Sequence, residues 1–320
     1  MALQFQQPAI GSDESANYRV ARPVTDYVQL TKPRVMLLVV FTGATSLFIE
    51  GSLLADPVRF ALVLLGLYLT GGAANAFNQY FERDIDGRMA RTKHRRPLPS
   101  GRLRPLDALM FAFLIGIAGV LVLGFVFNWL SALISLGTIL FYSLFYTLLL
   151  KPNTPYNIVI GGAAGSMAPV IAWAAAAGSL SMTPWMLFLI VFLWTPPHFW
   201  ALAVSFKDDY ETVDLPMLPV VKGVDRTMLQ IVWYSLALVA ASILPALTEL
   251  GLLYIAAAIV LGALFIRKAI AAKAVQSRDV VWGLFGYSII YLFGLFSAMM
   301  VDLFLSPKLS SLIATILSFN

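Results

Sequence analysis

Long apolar runs broken by short polar connections fill most of the chain. Runs able to cross about 30 Å of hydrocarbon fall near 35–50, 58–80, 107–127, 129–150, 156–177, 184–206, 227–247, 250–267 and 282–304. The pattern predicts an all-α polytopic membrane protein with about nine transmembrane helices. A polar arm, 1–34, precedes a transmembrane domain, 35–304, and a short tail, 305–320, follows it. Within the tail, Leu309–Phe319 is apolar but too short to span, and is expected to lie at the interface or to re-enter. The first 30 residues lack an apolar core. No cleavable signal peptide is therefore visible, and the first span is expected to direct its own insertion.

Charge placement tests this layout. With the N-terminus inside, the cytoplasmic pieces are the arm, 81–106, 151–155, 207–226 and 268–281. Counting helix-end residues, they hold every Lys and Arg of the 22 in the chain except Arg59 and Lys308. Such a bias is the positive-inside rule, and a wrong helix count would scramble it. The net charge of +5 thus reflects topology and not nucleic-acid binding. Composition agrees, with 59% hydrophobic and only 12% charged residues, against about 25% charged in soluble domains. The absence of cysteine excludes a disulfide framework, a thiolate metal site and a cysteine nucleophile. The two longest loops, after helices two and six, both face inside and lie four helices apart. That spacing suggests two four-helix halves around a central cavity, with a ninth helix added.

Where the second run meets the basic loop, Asn78, Glu82 and Asp86 recur every fourth residue. On a continuing helix, successive members are offset by about 40°, so all three share a face. Three oxygen-bearing side chains at a membrane surface, followed by arginines, suit a hard divalent cation and a phosphorylated substrate. By spacing alone, ordinary helix-end polarity fits as well. Gly71, Gly72, Asn75 and Gln79 tilt the balance, because small and amide residues within a span face protein or water. The run from Arg88 to Gly101 holds Arg91, Lys93, Arg95 and Arg96, and is stiffened by Pro97 and Pro99. A shaped cationic loop beside carboxylates fits an anion partly neutralised by Mg²⁺. Lys151 follows Tyr142 and Tyr146 at the inner end of helix four, where it serves a substrate or merely snorkels. In helix six, Pro196-Pro197 imply a kink. His198 just beyond it either bonds across helices or faces the cavity, where an axial contact to a metalloporphyrin is conceivable. Lys207, Asp208 and Asp209 follow at the inner surface, either completing a cation and phosphate site or simply solvated.

At these residues the chain resembles the UbiA-type intramembrane prenyltransferases. Asn78, Glu82 and Asp86 match the family's first signature, an Asn with acids at +4 and +8. Resemblance to the heme-farnesylating branch rests on longer blocks. One is Asn-Gln-Tyr-Phe-Glu-Arg-Asp-Ile-Asp-Gly-Arg-Met-Ala-Arg-Thr from Asn78, with Arg-Pro-Leu-Pro-Ser-Gly from Arg96. Others are Tyr-Thr-Leu-Leu-Leu-Lys-Pro-Asn-Thr-Pro-Tyr-Asn from Tyr146 and Thr-Pro-Pro-His-Phe-Trp-Ala-Leu from Thr195, the latter continuing to Leu-Pro-Met-Leu-Pro-Val-Val-Lys-Gly. Two departures stand out. Glu82 takes a position where many members have Asp, and His198 stands near an acidic position of the second motif. The resemblance implies farnesyl diphosphate and protoheme (heme B) as substrates, and heme O and diphosphate as products. It implies Mg²⁺ on Asn78, Glu82 and Asp86, with Asp208 or Asp209 near a second ion. Lys151 would act in catalysis. Arg83, Arg91, Lys93 and Lys207 would hold phosphate oxygens, and Tyr146 and His198 would contact substrate. It further implies a bacterial inner-membrane location, a cytoplasmic N-terminus and active site, and a downstream heme A synthase as partner. The alternatives are a prenyltransferase for a quinone or other aromatic precursor, against which the His198 block argues, and a transporter. Transporters usually place charges near the midplane, whereas the acids here cluster at the inner rim.

Overall fold

The computed structural model describes residues 24–248 and 250–317. Among them every regular element is a helix, and nine are long and apolar enough to cross a membrane. These are α1 Pro33–Glu50, α2 Pro57–Phe81, α3 Pro105–Phe127, α4 Trp129–Asn153, α5 Asn157–Ala177, α6 Met182–Ser205, α7 Val224–Leu247, α8 Leu252–Val275 and α9, whose spanning part is Arg278–Leu305. The number and order match the hydropathy pattern. Most of the N-terminal arm, residues 1–23, lies outside the described residues. The tail expected to lie at the interface or to re-enter continues α9 as helix to Leu317, through Pro307.

Small residues set the helix contacts, as they must where lipid removes most of the hydrophobic drive for association. A Cβ on Gly43 of α1 would lie 2.4 Å from Leu67 Cδ1 of α2. One on Gly119 of α3 would lie 2.6 Å from Thr70 Cγ2. Phe113, Leu114, Ile117, Phe125 and Leu133 are exposed, as lipid-facing side chains should be. The intramembrane acid Asp302 is buried and accepts from Gly251 N at 2.5 Å and Tyr254 N at 3.2 Å. It therefore caps the positive N-terminal end of α8.

The expected halves are only partly recognisable. α6 to α9 form one group, with α6 packed on α7 and α9, and α8 between α7 and α9. In the other group α5 packs heavily on α1, while α2 packs on α3 and α4. The ninth helix is not an appendage. It packs against α1, α6 and α8, joining the two groups. α6 runs as one helix from Met182 to Ser205, with Pro196 and Pro197, where a kink was expected, inside it. α5 is interrupted, divided into Asn157–Gly165 and Ala168–Ala177.

His94 and Lys222 are exposed in the loops after α2 and α6. Cysteine at either position should resist a membrane-impermeant thiol reagent in sealed cells and react once the membrane is opened. Labelling in sealed cells would overturn the cytoplasmic placement that the basic residues imply.

Candidate active site

Asn78, Glu82 and Asp86 converge. α2 ends at Phe81, and a short helix, Arg83–Arg88, follows. The i→i−4 bonds nevertheless persist, with Glu82 N to Asn78 O at 3.0 Å and Asp86 N to Glu82 O at 2.8 Å. The three side chains thus keep the single face that their spacing suggested, and each is no more than 3% exposed.

Each of the three meets a cation from a different part of the chain. Lys32 Nζ donates to Asn78 Oδ1 at 2.8 Å. Lys151 Nζ donates to Glu82 Oε1 at 2.5 Å. Arg96 pairs with Asp86 and lies 3.7 Å from Glu82. Burial works to raise the Glu82 carboxyl, but Lys151, Lys32 and Arg96 outweigh it and hold it below the usual carboxylate range. For Asp86 burial prevails, and the carboxyl is raised despite Arg96. Burial, with Arg96 next in weight, drives the Lys32 ammonium down to about 7.

Lys32 escaped the sequence reading, which counted it among the topogenic charges, and Arg96 was read as part of the cationic loop but not as a partner of the trio. Lys32 joins a short helix, Val24–Leu30, to α1 with a left-handed backbone at φ 52°, an uncommon state for a side-chain-bearing residue. Two amides of α2 hold this junction. Gln79 Nε2 donates to Gln29 O and Leu30 O at 3.1 and 3.0 Å, and Asn75 Nδ2 donates to Thr31 O at 3.2 Å. The in-span polarity that drew attention to α2 is therefore largely structural, and its product is the placement of Lys32. Arg102 holds the loop that carries Arg96. It bonds Asp26 at 2.8 Å and the carbonyls of His94 and Arg95. A lysine preceding Pro33 where the apolar run begins was the available signal.

Lys151 reaches Glu82 because the inner half of α4, Phe141–Leu150, winds as a π-helix with i→i+5 bonds. In an α-helix Lys151 would lie about 140° around the axis from Tyr146. The wider winding cuts that to roughly 50°. Tyr146 stacks on Tyr142 at 5.1 Å, and it packs on Gly161, where a Cβ would fall 2.3 Å from its ring.

The other candidate cations do not gather at the trio. Arg83 donates to Tyr80 O at 3.1 Å and covers the Tyr80 ring at 4.8 Å. Lys93 is exposed. Lys207 pairs with Glu211 at 2.7 Å, which raises its ammonium, chiefly through that hydrogen bond. Arg91 instead bridges the two long loops, lying over Phe206 at 5.2 Å with Nη2 3.5 Å from Tyr210 Oη. Among the described contacts none joins Asp208 or Asp209 to the trio, and no group of three His, Cys, Asp or Glu side chains is poised for a metal.

His198 is 9% exposed and is held on three sides. Its ring stacks between Trp194 at 4.2 Å and Phe285 at 4.5 Å. Nδ1 lies 2.7 Å from Ser288 Oγ, whose proton goes to Phe285 O at 2.6 Å. Nδ1 must then donate, which leaves the Nε2 lone pair open. Phe285 continues through Trp282 at 5.1 Å to Phe206 at 5.8 Å, so an aromatic run links His198 to Arg91.

Chemically, the trio offers a buried amide oxygen and two carboxylates, hard donors suited to a small divalent cation. Three cations stand where such an ion would bind and balance the carboxylates without it. The donor set fits the expected metal, and the surplus positive charge fits a polyanion.

Comparison with known proteins agrees. The model of the UbiA prenyltransferase family matches residues 37–293. The protoheme IX farnesyltransferase of Erythrobacter litoralis is 44% identical over 295 residues, covering 89% of this chain and 94% of that protein. That of Alkalilimnicola ehrlichii is 47% identical over 278 residues, covering 87% and 92%. The solved structure of a UbiA homologue from Archaeoglobus fulgidus bound to DMAPP and Mg²⁺ superposes with a TM-score of 0.60 at 17% identity, covering 86% and 99%. A family match across most of the chain, relatives aligned nearly end to end and a shared helical fold lead to one conclusion, that this chain belongs to the UbiA prenyltransferase family.

Proposed function

We propose that this chain transfers the farnesyl group of farnesyl diphosphate to a vinyl group of protoheme IX, with addition of water, giving heme O and diphosphate. The observation that carries this reading is the buried Asn78, Glu82 and Asp86 trio with its three facing cations. Relatives at 44 and 47% identity, both named protoheme IX farnesyltransferase, support heme as acceptor over a quinone precursor or a transported solute.

Farnesyl C1 leaves its bridging oxygen only when the charge gathering on diphosphate is neutralised. Mg²⁺ held by Asn78, Glu82 and Asp86 would supply much of that neutralisation; the Archaeoglobus homologue was solved with this ion and a prenyl diphosphate. Lys151, Lys32 and Arg96 contact the trio and would stabilise the departing oxygens. The stacked rings of Tyr142 and Tyr146 would offer π contacts to the cation that develops at C1. The surrounding apolar helices exclude water until the heme vinyl carbon has bonded to C1. Water then adds to the resulting cation beside the porphyrin ring and loses a proton, leaving the hydroxyethylfarnesyl group. The enzyme acts in the bacterial inner membrane with its site facing the cytoplasm. Its product feeds heme-copper oxidase assembly, with a heme A synthase as the next user.

Purified protein given farnesyl diphosphate, heme B and Mg²⁺ should release diphosphate and form heme O in equal amounts. Diphosphate release without any change in the heme would contradict the assignment of the acceptor.

His198 is assigned to the heme side, because its open Nε2 suits a heme iron or propionate better than Mg²⁺. His198→Ala should raise KM for heme several-fold and leave KM for farnesyl diphosphate unchanged. A rise in the farnesyl diphosphate KM alone would place it on the other substrate. Lowered thermal stability with both constants intact would make it structural.

A further inference from the structure

The ligand role proposed for Asn78 depends on which end of its amide faces the ion. The oxygen can bind a hard cation. The NH₂ group is a donor and cannot. Two neighbours bear on that choice. Lys32 Nζ sits 2.8 Å from Oδ1, and an ammonium only donates. On the other side Thr147 Oγ1 lies 3.2 Å from Nδ2.

Thr147 is itself constrained. Its hydroxyl has one proton, directed to Tyr142 O at 2.8 Å. Tyr142 lies five residues earlier, so the wide winding of Phe141–Leu150 brings that carbonyl under the hydroxyl. With the proton committed, Oγ1 can only accept, and Asn78 must offer it Nδ2–H. Thr147 is 6% exposed, too little for water to substitute readily. A divalent ion arriving at Oδ1 would stand beside the Lys32 ammonium, and repulsion between the two positive charges favours withdrawal of the lysine. From that moment the hydroxyl of Thr147 is the remaining described side-chain contact of the amide nitrogen.

We propose that Thr147 is a positioning residue for the metal site, holding the Asn78 amide with its oxygen toward the ion through the relay from Tyr142 O. The role rests on Asn78 being a ligand. Thr147 touches neither substrate nor metal. Without its hydroxyl the amide is free to flip, and the flipped form turns NH₂ toward the cation.

The test reads metal binding directly. Thr147→Val keeps the shape and removes the hydroxyl, and Thr147→Ser restores it. Each purified variant is titrated with Mn²⁺, free ion being followed by electron paramagnetic resonance, in the presence of a farnesyl diphosphate analogue with sulfur in place of the bridging oxygen. Thr147→Val should weaken Mn²⁺ binding about ten- to hundred-fold, the range for loss of a partner that orients a ligand. Thr147→Ser should stay within about threefold of the parent. Asn78→Ala should bind at least as weakly as Thr147→Val, and adding Thr147→Val to it should change little further. Melting curves accompany each titration, and Thr147→Ala replaces the valine variant if that protein does not fold. Parent-like Mn²⁺ binding by Thr147→Val, with Asn78→Ala weakened, overturns the positioning role and leaves Asn78 a ligand. Parent-like binding by Asn78→Ala overturns the ligand role, and the positioning role falls with it.

Discussion

Asp86→Ala is expected to lower turnover roughly 100-fold or more, the scale for losing a ligand of a catalytic ion. Asp86 is buried, keeps the helical register of Asn78 and Glu82, and pairs with Arg96. Removing it takes away a metal oxygen and leaves Arg96 without its nearest counter-charge. An unpaired buried charge also destabilises, so Asp86→Asn, which keeps the shape and one oxygen, belongs in the same experiment. Both variants should still insert in the membrane, because no span depends on this side chain. Turnover with saturating Mg²⁺, measured against chelator-treated controls and alongside a melting curve, separates chemistry from folding. Near-parent turnover by Asp86→Ala would remove the trio from the mechanism.

Lys151→Met should be almost as damaging, lowering kcat/KM for farnesyl diphosphate by about 10²-fold, as for other donors aimed at developing negative charge. Methionine preserves much of the stem that crosses the π-helical end of α4. What disappears is the ammonium 2.5 Å from Glu82, the contact that helps hold that carboxyl ionised. KM for heme should not move, since Lys151 belongs to the diphosphate side. Steady-state titration of each substrate reads the difference. An unchanged kcat/KM for farnesyl diphosphate would reduce Lys151 to a snorkelling charge.

The sequence was informative wherever one physical rule governed. Spans had to be long and apolar, so the nine helices of that kind among the described residues were readable. The i, i+4, i+8 series was readable because four residues nearly complete a helical turn. Contacts that depend on irregular backbone were not. Lys32 reaches Asn78 from a left-handed junction whose carbonyls are held by Asn75 and Gln79. Arg96 reaches Asp86 from a folded loop held by Arg102. No periodicity announces either. Lys151 reaches Glu82 through π winding, which helix propensity does not signal. Arg83, a direct sequence neighbour of Glu82, points elsewhere on the helix and turns to Tyr80. The two-half picture counted helices without knowing their contacts, so it could not show α9 packed between α1 and α6.

The central claim is that this chain makes heme O. Expression in a bacterial host lacking its own heme O, followed by mass spectrometry of extracted hemes, tests it most directly. The parent chain should produce a heme heavier than heme B by one farnesyl group and one hydroxyl, and Asp86→Ala should not. Heme B alone from cells that hold the intact parent chain in their membranes would contradict the account.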